Sequence, residues 1–311
     1  MCMMKIVAGI MRHDMGSGQK RRERTQVMPG GVTRAEHAYL PDGDRLHMLD
    51  VYRPEGAEGA LPLVFNIHGG AWVFGDKDLN RFYAATLAKA GFTVVSISYR
   101  LLPETDLKGQ VADIAAAAKF TAEHAGEFGA DTRSVMLTGD SAGAHLSSLY
   151  YSVASDAELA GLYGIEPGLP FDVRCLVLSH GVGDIHELLL NGKGEFIRAT
   201  APLQRLFDKG MFGKKPLESP LFARSSIEEA GKNVNFPPVM LIGCDRDVYL
   251  QHTLRLKRYF SEKAPRLEFF FTEGEAGARL SHVYNILRPE WEESRRANDA
   301  SLAFFRECMA E

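Results

Sequence analysis

The sequence predicts an α/β protein, a mostly parallel central sheet with helices on both faces, from three observations. From about residue 34 onward, apolar runs of strand length alternate with amphipathic runs of helical spacing, and strands separated by helices imply right-handed crossovers and a parallel sheet. The run Phe92-Thr-Val-Val-Ser-Ile-Ser98 is β-rich and uncharged, which suits a strand buried on both faces. Finally, 311 residues at 45% hydrophobic and 24% charged have the balance of a globular protein with a sizeable core, which excludes global disorder, collagen and coiled coils.

Residues 1–33 are expected to be an N-terminal extension, and residues 34–311 the domain itself. The extension turns polar by Arg12-His13-Asp14, and its short apolar stretch around Ile6-Val7-Ala8 has no adequate secretory h-region. Its basic run, Lys20-Arg21-Arg22-Glu23-Arg24, stands alone in the chain and reads as a solvated segment rather than a nucleic-acid or targeting patch. Strands follow at Leu46 to Tyr52 and at Leu61-Pro-Leu-Val-Phe-Asn-Ile67, then a helix over 78–90 and the strand of residues 92–98. A helix over 109–128 carries Val111, Ile114, Ala115 and Ala118 at helical spacing. Strand 134–138, helix 142–154, strand 173–179, strand 239–243, helix 249–263 and strand 267–271 come next. A last helix starts from Pro289, a residue favoured at the first helical position. Its stripe of Trp291, Leu302 and Phe305 is expected to pack on the sheet, with a homodimer face as the alternative.

One stretch breaks the alternation. Residues of about 181–236 hold no convincing strand, several Gly and Pro, and scattered large apolars: Leu188, Phe196, Leu206, Phe207, Met211 and Phe212. A segment this long inside a compact domain is usually functional, and it reads as a mostly helical cap inserted over one edge of the sheet.

Charge and composition exclude further classes. A formal net charge of −4 argues against nucleic acid as a partner, and no apolar run reaches the roughly eighteen residues of a membrane span. The four cysteines, Cys2, Cys175, Cys244 and Cys308, form no CxxC pair and read as free thiols of a reducing compartment, the cytoplasm.

Chemistry concentrates in two glycine-flanked turns. Gly139-Asp140-Ser141-Ala142-Gly143 follows a predicted strand and opens a predicted helix, the context that makes G-x-S-x-G meaningful. A turn sharp enough to expose a serine crowds its neighbours, so both flanks must be tiny, and the helix beginning there aims free N–H groups at the site. The second turn, His68-Gly69-Gly70-Ala71-Trp72, lies directly after a buried-type strand. Adjacent glycines let backbone N–H groups point into a pocket, where they stabilise the oxyanion formed when a serine attacks a carbonyl.

Together these HGGxW and GDSAG motifs resemble the hormone-sensitive-lipase-like esterases of the α/β-hydrolase superfamily, in the branch of BD-FAE and kynurenine-formamidase-like members. Val73-Phe-Gly-Asp-Lys77 and Tyr99-Arg-Leu-Leu-Pro-Glu104 extend the likeness, which runs from about residue 46 to the C-terminus. The resemblance implies an α/β-hydrolase fold and a triad in the chain order Ser, Asp, His. Two acids compete for the second place, Asp245 and Asp247. Laying Pro238-Val-Met-Leu-Ile-Gly-Cys-Asp-Arg-Asp247 against the family pattern puts the acid at Asp247; Asp245 is then a loop carboxylate that caps the helix near Tyr249. His282, in Leu280-Ser-His-Val-Tyr284, matches the family's histidine loop, whereas His252 lies on a predicted helix in register with Leu256 and Phe260 and reads as packed. His68 reads as structural, holding the glycine loop by a hydrogen bond. Carried over from the family's glycine loop and elbow, the oxyanion hole falls to the backbone N–H groups of Gly70, Ala71 and Ala142.

The implied activity is a serine carboxylesterase acting on a small-molecule ester of small or medium acyl length, with no cofactor. No metal site is expected, since the chain has neither HExxH nor a Cys/His cluster at ligand spacing. Two alternatives stand beside it. One is an amidohydrolase of the kynurenine formamidase type; the other is a non-catalytic ligand receptor on the same fold, of a kind known to lose the histidine that this chain keeps at His282.

Overall fold

Eight strands form one sheet in the order β1-β2-β4-β3-β5-β6-β7-β8, with β1–β2 and β2–β4 antiparallel and every other pair parallel. The computed structural model describes residues 2–188, 193–195, 197–274 and 280–311. In chain order the elements are α1 (Cys2–Glu23), β1 (Val32–Ala38), β2 (Met48–Pro54), β3 (Leu61–Ile67), α2 (Arg81–Lys89), β4 (Thr93–Ile97), α3 (Leu107–Glu123), α4 (Ala125–Phe128), β5 (Ala130–Asp140), α5 (Ala142–Ser155), α6 (Ala157–Tyr163), β6 (Val173–Ser179), α7 (Ala201–Phe212), α8 (Ile227–Ala230), β7 (Val239–Cys244), α9 (Leu250–Lys263), β8 (Leu267–Thr272), α10 (Tyr284–Leu287) and α11 (Glu292–Ala310).

The central strands are apolar on both faces because both faces are covered. Leu63, Phe65 and Ile67 of β3 join a core with α3, α5 and α9, while Val64 points the other way into a second core with α2 and α11. The α11 residues Ala297, Leu302, Phe304, Phe305 and Cys308 are all buried in that second core beside Cys175, Val177 and Met240. The expected stripe is therefore spent on the sheet. Cys175, Cys244 and Cys308 are free and buried. No helix among the described residues is long and apolar enough to cross a membrane.

The parallel register aligns Ile67 with Gly139, Asp140 with Ser179, and Ser179 with Ile242. It therefore brings the carboxyl ends of β3, β5, β6 and β7 to one edge, where sites of open α/β sheets are built. The glycine loop, Ser141 and the acid loop all leave the sheet there.

Two elements differ from the sequence reading. The strand β1 carries Arg34, Glu36 and His37 and is exposed along most of its length; only its ladder with β2 identifies it, so no hydrophobic period announces it. The N-terminal segment is not solvated throughout. It forms α1, with Met4 and Ala8 buried and Met11 packed on the first core, because Met4, Ala8, Met11 and Met15 fall at helical spacing on one side. Its basic residues Lys20, Arg21 and Arg22 occupy the last turn, where they complement the helix dipole. Arg12 fastens α1 to the domain, its Nε donating to the Val73 carbonyl at 2.7 Å and its Nη2 to the Leu102 carbonyl at 2.8 Å.

The 181–236 segment holds α7, α8 and short 3₁₀ turns at Ile185–Glu187, Arg198–Thr200 and Pro216–Glu218, with no strand among the described residues. Phe207, Met211 and Phe212 are buried and Leu188 and Leu206 partly so; Phe196 lies outside the described residues. Helix α7 packs on α1 and α3, so this segment and the N-terminal helix meet.

Candidate active site

Ser141 stands between β5 and α5 with φ 53° and ψ −117°, a left-handed backbone that a serine adopts only where the surroundings impose it. Its own N–H donates to the Ser179 carbonyl at 2.9 Å. The flanking glycines are required by contact: a Cβ on Gly139 would sit 2.4 Å from the Gly143 carbonyl oxygen, and one on Gly143 would sit 2.1 Å from that of Ile67. The elbow is thus wedged against the end of β3, beside the glycine loop.

That loop is held from several sides. The His68 Nδ1–H donates to the Gly69 carbonyl at 2.6 Å, the Tyr99 hydroxyl donates to the His68 carbonyl at 2.8 Å, and the His68 and Tyr99 rings stack at 4.4 Å. Burial pushes the His68 imidazole down to about 4, so the ring is neutral and structural, as read from sequence. Asp140 Oδ1 accepts from the Gly69 N–H at 3.0 Å and from Asn80 Nδ2 at 2.7 Å. Gly70 has φ 109°, and a Cβ there would lie 2.0 Å from the Phe74 carbonyl oxygen; Ala71 and Trp72 follow with φ of 53° and 60°. Gly70 and Ala71 line the same cavity as Ser141. Among the described residues, their N–H groups and that of Ala142, the first residue of α5, donate to no protein acceptor.

His282 lies between β8 and α10, two residues before α10 begins. Its Nε2 lies 2.8 Å from Ser141 Oγ and its Nδ1 lies 2.9 Å from Asp247 Oδ1. Asp247, in the turn after β7, has a fully buried carboxylate, and its Oδ1 also accepts from the Tyr249 N–H at 2.8 Å. The competing acid does not reach the histidine: Asp245 is exposed and its Oδ2 accepts from the Gly274 N–H at 3.0 Å. Asp245 therefore does not cap the helix near Tyr249, whose first turn has no side-chain cap. His252 is buried on α9 with its Nε2 donating to the Leu188 carbonyl at 3.1 Å.

A further residue meets the acid that sequence reasoning did not find. His180, just past β6, is fully buried with φ 52°, and its Nδ1 lies 2.7 Å from Asp247 Oδ2. Each carboxylate oxygen thus has its own imidazole, the two rings nearly perpendicular at 82°. Burial alone would raise the Asp247 carboxyl, but hydrogen bonds from His180 and His282 outweigh it and hold the group well below the usual carboxylate range. Burial also pushes His180 down, against the pull of Asp247; the ring is neutral and donates its Nδ1–H. His180 precedes the acid in the chain, so triad order hides it. Only the register, with the His180 N–H on the Ile242 carbonyl at 2.8 Å, brings it next to Asp247. His180, Asp247 and His282 are also the group among the described residues with metal-ligand atoms in reach, all within 4.8 Å. Their facing atoms are engaged with one another as donors and acceptors, an arrangement suited to ordering a proton rather than caging an ion.

Ser141 and His282 open into a cavity of about 340 Å³, within the range of small-ligand sites. Trp72 and Val182 line it from the sheet side; Met11, Met15, Leu203 and Phe207 line it from α1 and α7.

Comparison with known proteins places this geometry. A family model described as BD-FAE matches residues 49–257. The fold is that of the α/β-hydrolases. An inhibited esterase B from Lactobacillus rhamnosis is similar at 28% identity, over 99% of this chain and 97% of that one, with a TM-score of 0.92. The same esterase inhibited by a C4-C4 tributyrin phosphonate gives 29% identity over 98% and 95%, with a TM-score of 0.90. The probable carboxylic ester hydrolase LipM of Mycobacterium tuberculosis is 33% identical over 46% of this chain, and the match spans 34% of its own length. This chain thus covers about a third of that curated relative.

Proposed function

The chain belongs to the BD-FAE family, and on that premise we propose that it is a serine carboxylesterase, hydrolysing small to medium acyl esters through an acyl-enzyme. The observation that carries this reading is the unbroken line of hydrogen bonds from Ser141 Oγ through His282 to Asp247, opening on an apolar-walled cavity. The inhibited forms of the similar esterase B and the name of LipM support it.

In this mechanism His282 Nε2 takes the proton of Ser141 as Oγ attacks the ester carbonyl. The N–H groups of Gly70, Ala71 and Ala142 receive the negative charge that develops on the carbonyl oxygen. As the tetrahedral species collapses, His282 returns the proton to the departing alcohol; water then enters and the same steps release the acid. Asp247 fixes the His282 tautomer and stabilises its charged form. His180, holding the other carboxylate oxygen, stops Asp247 from rotating away from His282.

The catalytic domain is residues 34–311, with the cap at about 181–236 and α1 completing that cap. The free buried thiols support a cytoplasmic setting, and the α11 stripe is read as packing on the sheet rather than as a homodimer face.

The deciding experiment is Ser141→Ala assayed on p-nitrophenyl butyrate. A fall in kcat/KM of more than about 10³-fold is expected, with thermal unfolding unchanged; hydrolysis at the wild-type rate overturns the reading. Running N-formylkynurenine alongside tests the amidohydrolase alternative, which replaces the ester reading if the formamide is the faster Ser141-dependent substrate.

A further inference from the structure

One arginine on the cavity wall makes no ion pair with a carboxylate among the described residues. Met11, Met15, Gly18 and Arg22 succeed one another along α1 at helical spacing and all line the cavity that opens at Ser141 and His282. Arg22 is partly buried there, and among the described residues no carboxylate pairs with its guanidinium. The carboxylate beside it in sequence is turned elsewhere: Glu23 accepts from Gln19 Nε2 at 2.8 Å and pairs with Arg81 at 3.4 Å. Two charges bear on Arg22, Arg288 of the same sign and, more weakly, Glu23 of the opposite sign. Burial first, and then Arg288, push its pKa down, whereas Arg34, Arg100, Arg255 and Arg266 face carboxylates and are pushed up. Arg288 is itself engaged, with Thr25 Oγ1 at 3.1 Å and Glu290 at 3.3 Å. Gly18, one turn back, adds no side chain over the guanidinium; even a Cβ there would lie 3.5 Å from Nη1.

A partly dehydrated guanidinium beside a like charge is unfavourable until an anion meets it, and its planar fork of donors matches a carboxylate two bonds at a time. The wall around it offers thioethers and aliphatic carbon, which suit a short alkyl chain. We propose that the cavity binds an ester bearing a carboxylate at the end remote from the scissile bond, with that carboxylate held by Arg22. This rests on the esterase reading above and names its substrate class.

Paired substrates test it, each acid beside its neutral analogue. Monomethyl pimelate against methyl heptanoate puts the charge on the acyl side; 6-(butyryloxy)hexanoate against hexyl butyrate puts it on the alcohol side. In one of the two pairs the wild-type kcat/KM should favour the acid by about tenfold or more at low salt, and the preference should shrink as salt rises. Arg22→Gln should cut the acid-to-neutral ratio by about tenfold, while Arg22→Lys keeps part of it, which separates lost charge from a disturbed α1. Equal or better turnover of the neutral ester in both pairs, or a ratio unmoved by Arg22→Gln, overturns the proposal. Ser141-dependent turnover without charge preference defeats this inference alone; absence of Ser141-dependent turnover on all four esters defeats the esterase reading itself.

Discussion

The two walls of the cavity are built by opposite means. On the sheet wall the proposed nucleophile and acid follow the ends of β5 and β7, the backbone is forced into the left-handed region at Gly70, Ala71 and Ser141, and both oxygens of Asp247 are taken. On the cover wall Met11, Met15, Leu203 and Phe207 present side chains whose contacts are apolar and adaptable. Bond making needs atoms held to within a fraction of an ångström, while admitting an acyl chain needs only shape and dry surface. Strain is concentrated where the chemistry is proposed, and softness where selection is.

Substitutions at the two walls should therefore differ in kind as well as size. The largest effect is expected at Asp247. Asp247→Asn should lower kcat by about 10⁴-fold with KM little changed, through the wrong histidine tautomer, whereas Asp245→Asn should stay within a few-fold; equal losses in steady-state assays would break the assignment. Next comes His180. Replacing it by Phe removes the Nδ1 donor and should cost about tenfold or more in kcat. Because that donor helps hold the Asp247 carboxyl down, its loss leaves a more basic carboxylate, and the acid limb of the pH–rate profile should move to higher pH. Asn keeps a donor near the same place and tolerates the positive φ, so His180→Asn should restore most of the rate. A Phe variant with the wild-type profile would reduce His180 to packing.

The cover wall should respond in selectivity rather than rate. Phe207→Ala is expected to shift the preferred acyl length of p-nitrophenyl esters upward, changing the long-to-short ratio by several-fold; a uniform loss across the series would show the cover to be part of the reacting frame. The smallest effect concerns acid stability. His68 braces the glycine loop and His145 reaches the Ser225 carbonyl of the cap segment at 2.8 Å, and burial pushes both imidazoles down from 6.5 to about 4. The unfolded chain takes up these protons first, so their contribution is complete above pH 6.5 and is lost as pH falls from 6.5 toward 4. Scanning calorimetry should show Tm falling across that window and a shallower fall in His145→Gln; a flat Tm would mean that neither ring is held neutral.

The same contrast governs what the sequence made visible. Turns that put a Cβ within 2.0 Å of a carbonyl at Gly70 or 2.1 Å at Gly143 admit only glycine, so they leave a motif. Asp247 and His282 were readable through the family resemblance those turns carry, chain order alone leaving Asp245 and Asp247 both open. His180 was not, since its closeness to Asp247 arises from strand register rather than spacing. Nor was α1: a stripe of methionines and one alanine on a polar helix is a faint period, and its packing partner α7 lies about two hundred residues away along the chain. The exposed edge strand β1 left no pattern, because pairing alone defines it.

Arg12 couples the cavity's two walls mechanically. Its guanidinium joins α1 to the carbonyls of Val73 and Leu102, and Val73 in turn donates its N–H to the carbonyl of Gly70 at 3.1 Å. The helix that lines the cavity is thereby riveted to the loop proposed to receive the oxyanion's charge. A change that slid this helix would drag the loop out of line, whereas trimming or enlarging Met11 and Met15 would reshape the cavity in place.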